Sequence, residues 1–329
     1  MPRTVRIHAY GDASVLQLED LEIAAPAADE VQIAVKAIGL NRAEVMFRSN
    51  QYLQQAEFPS RLGYEAAGRV QAWGSAVSGF AEGDAVSLIP PLDIARWGTY
   101  GEVINVPAYL TVKHPANLSF EQAAASWMQY VTAWGGLVEQ ARLGTGDFVL
   151  VTAASSSVGL AAFQVARKVG ATAIAITRTR AKVQALLDAG AAQVIVSDEE
   201  DIVERVMALT DGQGARVVFD PVGGPAFEAL TASMARGGIL LEYGALSSEP
   251  TPFPLFTVLG KSLTLKGYLY NEIVSDPAAL ARAKAFIIEG LASGELKPII
   301  ARTFALDEIQ QAHRYLEANQ QVGKVVVTV

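Results

Sequence analysis

Phe148-Val-Leu-Val-Thr-Ala-Ala-Ser-Ser-Ser-Val-Gly159 is a run of four apolar residues that passes into a turn of small ones and then into a helical pattern. A buried strand opening into such a turn brings backbone N–H groups and a helix N-terminus to one point with no bulky side chain in the way. That is what a pyrophosphate requires. Ala154, Ser156 and Gly159 fall at the three positions of a G-x-G-x-x-G fingerprint, and only the third is glycine. The expected cofactor contacts are therefore Ala154, Ser155, Ser156, Ser157, Val158 and Gly159. Taken alone, the stretch also fits an ordinary strand-turn-helix capped by serines.

Downstream, apolar runs and helical runs alternate. A helix is expected over 158–169, a strand over 173–177, a helix over 181–189 and strands over 194–196, 217–220, 239–243 and 263–267. Continuous apolar strands separated by helices imply a parallel sheet covered on both faces. About 20 residues past the phosphate turn, at the end of the next strand, an adenosine-ribose reader is expected. The residues there are Thr177-Arg178-Thr179-Arg180-Ala181-Lys182, with arginine where an NAD enzyme places an acid. Arginine pairs bidentately with phosphate. Arg178, with Thr177 and Lys182 beside it, thus points to the 2′-phosphate of NADPH, although a solvated basic helix start has the same pattern. Asp220-Pro-Val-Gly-Gly224 and Gly244-Ala-Leu-Ser247 follow further apolar strands. Gly244 and Ser247 are expected at the cofactor, in the crevice beyond the strand ends, and turn geometry accounts for them equally well.

Upstream, residues 1–116 show short alternating runs broken by Gly, Pro and Asp, which reads as an antiparallel, barrel-like β region. Ser119-Phe-Glu-Gln122 has capping-box spacing. After 267 the pattern gives helices over 278–293 and 307–319 and a closing strand over 324–329.

Composition sets the outer bounds. A chain of 329 residues suggests two domains. A net charge of −8 argues against nucleic acid as a partner. There is no cysteine, which removes thiolate nucleophiles and thiolate-bound zinc, and His8, His114 and His313 are too scattered for a local metal motif. No apolar run approaches the roughly 18 residues of a membrane span, and the N-terminus lacks a signal-peptide pattern. A soluble cytoplasmic protein is expected.

Gly39-Leu-Asn41, Leu62-Gly-Tyr-Glu-Ala-Ala-Gly68, Gly83-Asp-Ala-Val86, Thr132-Ala133, the 153–159 turn, Asp220-Pro-Val-Gly-Gly224 and Gly323-Lys-Val-Val326 occur in one order along the chain. In that succession the chain resembles the zinc-independent quinone oxidoreductases of the medium-chain dehydrogenase/reductase superfamily. The resemblance implies an α/β protein: a GroES-like β-barrel catalytic domain over 1–122, completed by 268–329, and a Rossmann doubly wound parallel sheet over 123–267. It also implies a homodimer joined through the Rossmann sheets, and NADPH delivering hydride to a quinone or to the β-carbon of an activated alkene. In zinc-dependent relatives a Gly-His-Glu stretch supplies a ligand and a cysteine lies near the position of Leu40 or Asn41. Here the stretch is Gly63-Tyr64-Glu65, so no metal is expected.

By the same resemblance Asn41 lies by the nicotinamide, as a cofactor contact and as a donor to the developing oxyanion. Tyr64 takes the place of the zinc-binding histidine, and Tyr52 stands where related enoyl-thioester reductases carry an acidic tyrosine. Thr132 would touch the nicotinamide ribose or carboxamide, and Tyr130 would line the pocket. Glu65 is expected to pair with a buried arginine or hydroxyl. Trp97, Tyr100 and Phe256 are expected in ordinary core. Met46 and Ser197 stand where the family often has tyrosine, and Ser156 and Ser157 replace two inner glycines. Two other functions fit the residues: a non-catalytic NADPH-binding sensor or structural protein, and an alcohol dehydrogenase with an atypical metal site.

Overall fold

A computed structural model describes all 329 residues, Met1–Val329, as two compact units. The first comprises 1–129 and 288–329, the second 130–287. The segment 268–287 lies in the second unit because its side chains meet Gly135, Glu139 and Lys168 there. Ile273 packs on Gly135, Arg282 pairs with Glu139, and Lys168 stands over the ring of Phe286.

The first unit holds β1 (Arg3–Arg6), β2 (Gln17–Asp20), β3 (Glu30–Leu40), β4 (Glu65–Trp73), β5 (Ala85–Leu88), β6 (Val103–Pro107) and β7 (Thr111–Lys113). β1 and β2 form a two-stranded ribbon. The other strands join the C-terminal ones in a seven-stranded sheet whose order is β14-β15-β3-β4-β5-β7, with β6 on β3; β14 is Ile300–Ala305 and β15 Lys324–Thr328. All pairings are antiparallel except β14 with β15. The expected capping box forms: Gln122 N–H donates to Ser119 Oγ at 3.2 Å and Ser119 N–H to Gln122 Oε1 at 3.0 Å, starting the helix Phe120–Ala124. That helix lies on the sheet through small residues, with Ala123, Ala124 and Ala125 against Ala37, Ala67 and Val326. Gly39 is the closest approach, since a Cβ there would stand 2.2 Å from the Ala124 carbonyl.

The second unit is a six-stranded parallel sheet of β8 (Phe148–Val151), β9 (Thr172–Thr177), β10 (Gln193–Val196), β11 (Ala215–Asp220), β12 (Met234–Glu242) and β13 (Thr264–Gly267). Its order is β10-β9-β8-β11-β12-β13, the 3-2-1-4-5-6 arrangement of a Rossmann fold. Strand order reverses between β8 and β11, and the crevice beyond their carboxyl ends is the ligand position of such sheets. One cluster of buried residues draws Leu150, Ile174, Ile195, Val218 and Leu240 from five adjacent strands, which is why those strands read as unbroken apolar runs. The helix expected over 181–189 divides into a 3₁₀ turn, Arg180–Lys182, and an α-helix, Val183–Asp188. No helix is long and apolar enough to cross a membrane.

Candidate functional site

In the second unit the residues expected at the cofactor phosphates lie at the carboxyl ends of β8 and β9. The chain leaves β8 at Val151 and bends at Ala153, which has φ +43°, the left-handed region that a side chain normally avoids. Ser156 then caps the helix Ser157–Lys168, its Oγ accepting from the Gly159 N–H at 3.1 Å. Gly159 presses on the turn: a Cβ there would stand 2.6 Å from the Ala154 carbonyl. Free first-turn N–H groups and the helix dipole make this end attractive to an anion. The strained position falls on Ala153, one residue before the fingerprint begins, so no glycine marks it in the sequence.

Three cations follow β9. Arg180 is committed to Glu199. Lys182 reaches back to the turn, its Nζ donating to Ser155 Oγ at 2.9 Å. Burial and then the neighbouring Arg178 charge lower the Lys182 pKa. Arg178 is exposed, and Thr177, the last residue of β9, is half-buried. Farther along the sheet, Asp220 ends β11 and accepts from the Thr152 hydroxyl and from the N–H groups of Val222 and Gly223, each of these two at 3.0 Å. Ser247 N–H donates to the Val222 carbonyl at 2.9 Å, joining the two glycine-containing turns. Gly244 packs on Pro221, where a Cβ would lie 2.7 Å from its carbonyl oxygen. Thr132 is buried in the helix Trp127–Trp134. Tyr130 is fully buried and donates to Gln164 Oε1 at 2.7 Å, which makes it a core residue rather than a pocket wall.

In the first unit, strand register builds a second cluster. Gly39 of β3 pairs with Glu65, the first residue of β4, and Leu40 pairs with Val325 of β15. Asn41, Glu65 and Lys324 are thereby brought to one end of the sheet. Lys324 Nζ is paired with the Glu65 carboxylate and donates to Asn41 Oδ1 at 2.5 Å. Asn41 Nδ2 faces Glu44 Oε1 at 3.2 Å and Glu65 Oε1 at 3.3 Å. Glu44 also receives the N–H of Asn41 at 2.6 Å and of Tyr64 at 3.2 Å, and Glu65 that of Met128 at 3.0 Å. Burial pushes the Glu44 carboxyl up to about 8, against the nearby Lys324 charge and the Asn41 hydrogen bond, which pull it down. The Tyr64 hydroxyl donates to the Tyr52 hydroxyl at 3.1 Å, and burial raises the Tyr52 pKa.

Glu65 pairs with a buried lysine, where an arginine or hydroxyl is expected from the sequence. Glu44 and Lys324 were missed there. Asn41-x-x-Glu44 has the spacing of a capping pair, a signal open to reading. Lys324 gives only a weak sign, a lone charge at the head of an apolar strand. Phe256 corrects an expectation, because it is 87% exposed and not core. A helix of seven residues with apolar side chains on more than one face cannot bury them all. Tyr100 is core, bonded to His313 Nε2 at 3.1 Å, and burial drives that imidazole down to about 3, so it stays neutral. Trp97 is half-buried and donates to Glu30 Oε1 at 3.2 Å, and Arg42 donates to the Leu316 carbonyl.

The alcohol dehydrogenase GroES-like domain model matches residues 27–116, and the zinc-binding dehydrogenase model matches 157–285. Quinone oxidoreductase 1 of Escherichia coli (strain K12) is 34% identical over 331 aligned residues, which span 98% of each chain. The chain belongs to the quinone oxidoreductase family of the medium-chain dehydrogenases/reductases. The crystal structure of Escherichia coli quinone oxidoreductase complexed with NADPH superposes on this family member with a TM-score of 0.90, at 33% identity, over 99% of this chain and 100% of that one. An NAD-dependent alcohol dehydrogenase structure gives 0.91 at 31% identity, over 99% of both chains.

The residues of this quinone oxidoreductase family member do not fit zinc. There is no cysteine, no three His, Asp or Glu side chains gather into a ligand set, and the ammonium of Lys324 already holds Glu65.

Proposed function

We propose that this chain transfers hydride from NADPH to a quinone or to the β-carbon of an α,β-unsaturated carbonyl, without a metal. The observation that carries the reading is the pair Arg178 and Lys182. The first is exposed beyond β9, and the second is tied to the phosphate turn through Ser155. An acid at this place would favour the free ribose hydroxyls of NAD, whereas two cations favour a 2′-phosphate. The phosphate turn fits a dinucleotide, because the close contact of Gly159 with Ala154 leaves the helix N-terminus uncovered. In this reading Thr132, Gly244 and Ser247 complete the cofactor contacts.

NADPH, when bound, supplies the hydride. The chain's part is to hold the acceptor, to stabilise the oxyanion that forms and to return a proton. Asn41 serves at the nicotinamide end. Tyr52 is the proton donor: because Tyr64 donates to its oxygen, a contact that counters the rise burial imposes on its pKa, its own proton is left for a ligand. Homodimerisation through the second unit is supported by its edge strand β13 and by the exposed side chains Phe253 (64%), Phe256 (87%) and Leu259 (65%) just before it in sequence.

The test is turnover of a panel of quinones and enones with NADPH and with NADH, following nicotinamide absorbance. NADPH is expected to be preferred, and Arg178→Ala to raise its KM while leaving that of NADH unchanged. A preference for NADH overturns the cofactor assignment. Loss of activity on treatment with chelators, together with stoichiometric zinc, favours an alcohol dehydrogenase. Tight NADPH binding without turnover of any substrate leaves a non-catalytic binder.

A further inference from the structure

Lys324 opens β15, a strand that continues Val-Val-Val, and its side chain has no exposed surface. A fully buried ammonium requires partners for its charge and its hydrogens. Here they are the Glu65 carboxylate and Asn41 Oδ1, the latter at 2.5 Å. An ammonium only donates, so it selects the oxygen side of the Asn41 carboxamide and excludes the flipped orientation. The nitrogen is left facing Glu44 Oε1, Glu65 Oε1 and the Gly39 carbonyl at 3.2, 3.3 and 3.4 Å, all long contacts. A cation on the carbonyl oxygen also draws electron density from the amide nitrogen, which strengthens its N–H groups as donors.

We infer that Lys324 is a positioning residue for hydride transfer: its ammonium fixes Asn41 in a single amide orientation and polarises it, so that a buried cation organises the end of the sheet where zinc-dependent relatives carry a metal ligand. The inference rests on the reading that Asn41 serves at the nicotinamide. Glu65 anchors Lys324 through its carboxylate, and Glu44 accepts the backbone N–H of Asn41.

The experiment uses the full-length protein and four forms: wild type, Asn41→Ala, the charge-neutral pair Lys324→Met/Glu65→Gln, and the triple variant. Removing both charges together avoids stranding a buried carboxylate. The neutral pair is expected to lower kcat about 100-fold, as loss of positioning does, with the NADPH Kd within twofold of wild type. The triple variant is expected to be no slower than Asn41→Ala, because both changes act through one group. Losses that multiply, or a neutral pair with wild-type kcat, overturn the inference. A second measurement uses the wild-type protein: with ¹⁵N-asparagine labelling, the Asn41 side-chain amide is expected to be exchange-protected, and a fast-exchanging amide overturns the inference. Failure of the functional reading looks different, because wild type then turns over no quinone or enone at all, whatever the amide resonances show.

Discussion

Asp220 and Glu242 are register partners at the ends of the parallel strands β11 and β12, and both oxygens of the Glu242 carboxyl are buried, with only the Gly244 backbone N–H opposing the loss of water. Two carboxylates cannot bond to each other, but one proton between them makes the bond. Burial, then the Asp220 charge, pushes the Glu242 carboxyl up to about 9. The folded state therefore holds a proton that the unfolded chain releases near its ordinary value of 4.5. Stability from this group is complete below that value and is lost as pH rises towards 9. Glu242→Gln supplies an amide donor to Asp220 and removes the titration. The variant is expected to melt at or above wild type at pH 8 and to lose less stability between pH 6 and 9. Glu44, raised in the same direction, leaves part of the slope in place. Parallel melting-temperature curves for the two proteins would show that the carboxyls do not share a proton.

Lys182 bridges the end of β9 and the phosphate turn through Ser155, and a bond from a charged donor contributes about 1.5–3 kcal/mol. Lys182→Met removes that bond together with one of the two cations assigned to the 2′-phosphate. The KM for NADPH is expected to rise at least about tenfold, equivalent to about 1.4 kcal/mol, with little change for NADH. An equal rise for both cofactors would mean that Lys182 acts only by shaping the turn.

Gly159 has no room for a methyl group, because its Cβ would lie 2.6 Å from the Ala154 carbonyl and 2.9 Å from the Ala154 Cα. These are backbone atoms, so Gly159→Ala must move the turn or the helix. A cost of about 1–3 kcal/mol is expected, together with weaker NADPH binding measured by fluorescence titration. Binding and melting temperature at wild-type values would place the phosphates elsewhere.

Local features of this fold are legible in the chain. The strands of the second unit announce themselves because both faces of the sheet are covered, and the capping residues of the helix Phe120–Ala124 lie three apart in sequence. What escapes is set by distant pairing or by conformation without a residue signature. Lys324 meets Asn41 across 283 positions, and only the β3–β15 register shows that its charge points inward. Ala153 adopts a left-handed conformation with a side chain in place. β12 starts at Met234, ahead of its expected position, because Arg236-Gly-Gly238 reads as a turn while the backbone carries the strand through it as an irregularity with Gly237 at φ +72°. Apolar character alone misplaced Phe256, since hydropathy does not distinguish a core from an exposed helix face.

The proton-donor role proposed for Tyr52 separates the two substrate classes. Hydride transfer to a quinone leaves an oxyanion, and oxygen protonation from water is fast. Hydride transfer to the β-carbon of an enone leaves an enolate whose α-carbon is protonated slowly unless an acid is positioned beside it. General acid catalysis of that kind contributes about 10²–10⁴-fold. Tyr52→Phe keeps the ring and removes only the hydroxyl that accepts from Tyr64 at 3.1 Å. The variant is expected to reduce quinones within about threefold of wild type and enones about 100-fold more slowly. In D₂O wild type is expected to place deuterium on one face of the α-carbon, and the variant on both. Equal losses for quinones and enones, or unchanged stereochemistry, would take the proton-donor role away from Tyr52 and assign it to water.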